Sequence, residues 1–123
     1  MTTEEAVTFH KLGRNLLAPT IRDIGNGSVE RDFLKGCTVH IAISSDIELG
    51  DSVDLELYVE RMGTFSRMPF VVTEEQLVEG ITWKLTSKQL ALPGVAVEVV
   101  YSVKKNDGSS LESPVNKYKV KES

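Results

Sequence analysis

The sequence predicts an all-β fold: an antiparallel β-sandwich of about seven short strands with one or two short helical turns. Three observations carry this. Apolar and polar residues alternate through Val53, Leu55, Leu57 and Val59, and again through Val95, Val97, Val99, Tyr101 and Val103. Period two puts each set on one face of a strand, whereas a helix would scatter it around its circumference. Turn-forming clusters recur at short intervals, at 25–28, 50–51, 61–64, 93–94 and 106–109. No interval between strands is long enough for the helix of about ten residues that a parallel crossover needs.

Taken in order, residues 1–15 carry scattered apolar positions (Ala6, Val7, Phe9, Leu12) among charges, the pattern of either a short helix capped near Thr3 or an arm. The sandwich domain is expected over 16–121. Leu16 to Ile24 reads as a first strand; Pro19 lacks an N–H, so it belongs on an edge or at a bulge. Val29 to Leu34 is either a short extended segment or one turn of helix before Gly36. Cys37, Val39, Ile41 and Ile43 share one strand face, with Thr38, His40 and Ala42 on the other. After the loop 44–51, Ser52 to Glu60 has the cleanest alternation in the chain.

Phe65 to Thr73 reads as a further strand, placed at an edge by Pro69. Thr73-Glu-Glu-Gln76 is a capping-box sequence, and Gly80 closes the short helix it starts. Ile81, Trp83 and Leu85 return to strand alternation, Ser87 to Leu92 allows a second helical turn, and Pro93-Gly94 turns the chain into its longest apolar strand. Asn106 to Ser109 then forms a hairpin tip, with a bend at Ser113-Pro114 in the returning limb. With the Val95 strand between those of Val53 and Lys117, the acids Asp54, Glu56 and Glu60 are balanced by Lys104, Lys117 and Lys119.

Composition narrows the function classes. The 123 residues are 41% apolar and 26% charged, enough for one core without staples. A formal charge of −4 gives no general attraction to nucleic acid or anionic lipid. Cys37 is the one cysteine, which excludes an intramolecular disulfide and any multi-cysteine metal site; its phase with Val39 marks it as a small core side chain. No stretch is long and apolar enough to span a membrane, and the acidic start lacks the features of a signal peptide. The chain is therefore expected to be cytoplasmic, exported without a cleaved leader, or a module of a larger surface protein.

Chemistry-bearing motifs are sparse. Gly50-Asp-Ser52 superficially matches the start of a nucleophile motif, but Ser52 opens a strand and the chain has only His10 and His40 as bases. His40 has no partner at ligand spacing, so no metal ligand is expected. Asp46, Glu48 and Asp51 place three carboxylates in one loop, a candidate calcium loop whose spacing matches no standard one; solvated acids are the expectation. Tyr58, on the outward face and followed by Arg61 and Arg67, is the candidate binding surface, because Tyr and Arg dominate interaction hot spots.

Leu17-Ala-Pro-Thr-Ile21, Gly50-Asp-Ser-Val53, Leu92-Pro-Gly94, the run from Val97 to Val103 and Ser113 together resemble immunoglobulin-like or fibronectin-III-like β-sandwich modules of large bacterial surface and secreted proteins, over roughly residues 16–121. The resemblance implies an immunoglobulin-like sandwich and a spacer, adhesive or recognition role. The expectation is thus a non-enzymatic interaction module with a protein partner, no cofactor and no catalytic residue. The alternative is a carbohydrate-binding, lectin-like sandwich with a glycan partner, although four Phe, three Tyr and one Trp leave few aromatics for sugar stacking.

Overall fold

A computed structural model describes residues 11–12, 16–22 and 27–122, and these described residues form ten strands, one 3-10 turn and one short helix. The strands are β1 (Lys11–Leu12), β2 (Thr20–Ile21), β3 (Ser28–Val29), β4 (Thr38–Ile41), β5 (Ser52–Val59), β6 (Gly63–Val71), β7 (Ile81–Lys84), β8 (Ala96–Lys104), β9 (Ser110–Glu112) and β10 (Asn116–Val120). The 3-10 turn covers Phe33–Lys35, and α1 covers Glu74–Glu79. The protein is mostly β, as its alternation dictates. The arm or helix expected over residues 1–15 falls mainly outside the described residues. Among the described residues, no helix is long and apolar enough to cross a membrane.

β8 organises the larger sheet. The whole length of β5 pairs antiparallel with β8, from Ser52 opposite Lys104 to Val59 opposite Val97. Its other edge is shared: β10 pairs with Ala96 to Val99, and β9 with Ser102 to Lys104. Val97, Val99, Tyr101 and Val103 are buried from one side, facing the core with Val53, Leu55, Leu57 and Val59. The break between β9 and β10 falls at Ser113-Pro114, where proline cannot donate to the ladder. Ser113, only 1% exposed, substitutes: its N–H donates to Tyr101 O at 2.9 Å, and its Oγ accepts the Tyr101 N–H at 3.1 Å.

The expected edges are found. Among the described residues β6 pairs only with β5, and its register slips between the partners of Val53 and Leu55, so the bulge falls at Met68-Pro69. β2 is the edge of a second, three-stranded antiparallel sheet ordered β2-β4-β7, although it is confined to Thr20–Ile21. Side chains from β8 and β10 hold the segment before it. Tyr101 Oη donates to Leu17 O at 2.7 Å, Tyr118 Oη accepts the Ile21 N–H at 2.8 Å, and Asn116 Nδ2 donates to Pro19 O at 2.8 Å. Buried Ile21, Val39, Ile41 and Ile81 of the smaller sheet, with Leu85 just after it, join the residues of the larger one in a single core.

Several details depart from expectation. Two edge pairings are parallel, β1 with β9 and β3 with β10; strands of two residues show no periodicity from which a direction can be read. Residues 87–92 form no helical turn. α1 begins with the predicted capping box, Thr73 Oγ1 accepting the Gln76 N–H and Gln76 Oε1 accepting the Thr73 N–H, and it ends at Gly80 with φ 94°. The lysines of β10 do not reach the acids of β5, because β8 lies between the two strands. Lys117 instead meets Glu98 of β8 at 4.0 Å, and Lys119 meets Glu122.

Candidate functional site

The acidic loop folds around a cation that the chain itself supplies. Lys105, at the end of β8, donates through Nζ to Asp51 Oδ2 at 2.6 Å and to Asp46 O at 2.8 Å, and lies 3.1 Å from Glu48 Oε1. Asp51 Oδ2 also accepts the Glu48 N–H at 2.8 Å. Asp51 is fully buried, not a solvated loop acid, and its Oδ1 has no hydrogen-bond partner among the described residues. Burial alone would depress the Lys105 ammonium. Hydrogen bonds to Asp51 and Glu48, with their charges, outweigh burial and hold it above the ordinary lysine value. The loop therefore centres on an ammonium group where a calcium loop centres on a metal.

The soft and borderline donors do not converge. Cys37 packs against the core in phase with Val39, and burial pushes its thiol up to about 11. His40 projects from the opposite face of β4, opposite Thr20 and Thr82. Its imidazole lies against the backbone of Gly80: a Cβ built there would stand 2.5 Å from His40 Nε2. That nitrogen is buried and, among the described residues, makes no hydrogen bond. Desolvation, with the nearby Arg22 charge, lowers the His40 pKa against an opposing contribution from the Glu79 backbone. Among the described residues, no group of three or more His, Cys, Asp or Glu is placed to hold a metal ion. His10 lies outside them.

The candidate binding residues separate. Tyr58 is 43% exposed on the outer face of β5, in a row with Thr64 and Glu98. Arg61 occupies the β5–β6 turn with φ 69°. Arg67 pairs with fully buried Leu55, on the sheet face away from Tyr58, with its guanidinium 3.9 Å from the centre of the Phe70 ring. Ser52 opens β5 between Val71 and Lys104, a strand position and not a nucleophile elbow. An outer-face hollow that sequence reading missed is lined by Asp54, Glu56, Ser102 and Glu112. Cross-strand register assembles it: Asp54, Ser102 and Glu112 form one row across β5, β8 and β9.

No family model matches the chain, and no curated protein matches it. Solved structures do. One is a superoxide reductase (neelaredoxin) from Ignicoccus hospitalis, with a TM-score of 0.54 and 12% identity over 98% of this chain and 100% of that one. The fold is neelaredoxin-like. A second superoxide reductase (neelaredoxin) structure from the same organism has a TM-score of 0.49 and 13% identity over 87% of this chain and 83% of that one.

The neelaredoxin-like fold corrects the expected family. The end-to-end structural match is a superoxide reductase and not an immunoglobulin-like or fibronectin-III-like module, and the expected adhesion, spacer or protein-binding module falls with that resemblance. Its non-enzymatic label rested on that resemblance and is withdrawn with it, and the lectin-like alternative has no support either. The physical reason lies in the motifs. Alternation over 97–103, the Leu92-Pro-Gly94 turn and Ser113 report strand burial, positive φ at Gly94 and a ladder repair. Any fold of packed β-sheets uses these devices, so they specify sheet structure and not one family.

Proposed function

We propose that this protein is an oxidoreductase acting on superoxide, built on two sheets that close face to face as a sandwich. The observation that supports this reading is the end-to-end likeness to a superoxide reductase, spanning 98% of this chain and all of the other. Reducing superoxide adds one electron and two protons and yields hydrogen peroxide, so the reaction requires a redox centre. Proteins commonly hold redox metals through imidazole and thiolate donors. The described donors do not fit such a centre. Cys37 packs against the core just before β4, His40 projects from the face of β4 opposite buried Val39 and Ile41, and no group of three or more His, Cys, Asp or Glu converges among the described residues. No step is assigned to a metal on these residues.

The test uses the full chain expressed in iron-supplemented medium, with bound metal quantified and superoxide consumption followed in a xanthine oxidase–cytochrome c assay. Stoichiometric metal together with consumption above the spontaneous rate supports the reading. Folded protein showing neither result overturns it.

A further inference from the structure

Beyond the ladder between β4 and β7, the two chain segments stay joined. The Leu85 N–H donates to Cys37 O at 2.9 Å, and the Ser87 N–H donates to Leu34 O at 2.8 Å. These bonds bring Lys35, at the end of the 3-10 turn, beside Thr86, Ser87 and Lys88, and the four residues line an open hollow of about 400 Å³. Two lysines and two hydroxyl-bearing residues thus line one concavity with no acidic residue in its lining, on a protein of formal charge −4.

Among the described residues, neither Lys35 nor Lys88 makes an ion pair. Among the described residues, the ion-paired lysines are Lys105, Lys117, Lys119 and Lys121. Asp32, at the start of the 3-10 turn, makes no ion pair with Lys35. Ser87 Oγ accepts the Gln89 N–H at 3.1 Å, which leaves its hydroxyl proton available for donation. Paired ammonium groups flanked by hydroxyl donors suit an oxyanion, and lysine binds phosphate as a point charge. We propose that this hollow binds a phosphate-type dianion, either free or as the phosphomonoester end of a larger molecule. The open volume around the polar groups accommodates the carrier of a monoester.

The experiment is an NMR titration of the isotope-labelled full chain with inorganic phosphate and, separately, with O-phosphoserine, at constant ionic strength with chloride as the reference ion. Saturable shifts are expected at the amides of Lys35, Thr86, Ser87 and Lys88. Each of K35Q and K88Q should weaken binding by up to about fivefold, the scale of one exposed charge interaction, and the double variant should abolish saturation. Both lysines are exposed, and the remainder of the spectrum reports that the variants stay folded. Tighter binding of phosphoserine assigns the site to monoesters, whereas equal binding assigns it to the free ion. The proposal is overturned if chloride gives the same shifts or if the double variant titrates like the parent protein.

Discussion

Lys105 and Asp51 are the most consequential charged pair in the described structure. Asp51 is fully buried, and Lys105 Nζ at 2.6 Å is its compensating charge. Replacing Lys105 with Met strands a buried carboxylate, and a loss of about 3 kcal/mol in urea unfolding is expected. Asp51→Asn combined with Lys105→Met should recover part of that loss, because the double variant leaves no buried charge uncompensated. The pH dependence has a defined sign. The folded ammonium holds its proton above the ordinary value of 10.5, so its contribution is whole below about pH 10.5 and is lost as the pH rises through the folded value. Parent stability should therefore fall in that alkaline range, and the fall should be smaller in the Lys105→Met variant.

Cys37 gives a second residue-scale outcome. A thiol pushed up to about 11 is almost wholly protonated at neutral pH, and the thiolate is the reactive form. Alkylation by iodoacetamide should be far slower than that of free cysteine at neutral pH and should accelerate steadily into the alkaline range. Rapid alkylation at neutral pH would show that the thiol is neither buried nor raised.

Among the elements, β8 depends on a repair at one point. Ser113 Oγ takes the place of a ladder acceptor for the Tyr101 N–H, so Ser113→Ala leaves a buried donor unpaired. A loss of about 1–3 kcal/mol is expected by chemical denaturation, while Ser110→Ala in β9, whose side chain is half-exposed, should be nearly neutral. Gly80 closes α1 at φ 94° and abuts the His40 imidazole. Gly80→Ala introduces both left-handed strain and a collision with that ring, and it should lower the thermal midpoint more than Gly108→Ala, whose Cβ meets nothing.

What could be read from sequence followed the range of the signal. β5 and β8 were legible because Val53 to Val59 and Val95 to Val103 each carry a full run of alternation. The capping box of α1 was legible because Thr73 and Gln76 are three positions apart. The Lys105 clamp was not, since its partner Asp51 lies 54 positions away, and three loop acids read alone look like a metal loop. The two-residue strands β1 and β3 are too short to show a period. The Asp54–Ser102–Glu112 row depends on the register among three strands, which alternation alone does not fix.

Across the whole molecule, one core joins a larger sheet hung on β8 to a smaller sheet of β2, β4 and β7, with Tyr101, Tyr118 and Asn116 binding the segment before β2 to the larger sheet. This neelaredoxin-like scaffold matches a superoxide reductase from end to end, yet its described thiol and imidazole do not converge with other donors on a metal site. The redox reading and the donor geometry therefore meet in a single measurement: the ratio of hydrogen peroxide formed to superoxide consumed by the purified full chain in the presence of an electron donor. Reduction predicts one peroxide per superoxide at a rate that increases with protein concentration. A ratio of half that value, the yield of dismutation, at a rate independent of the protein would contradict the account.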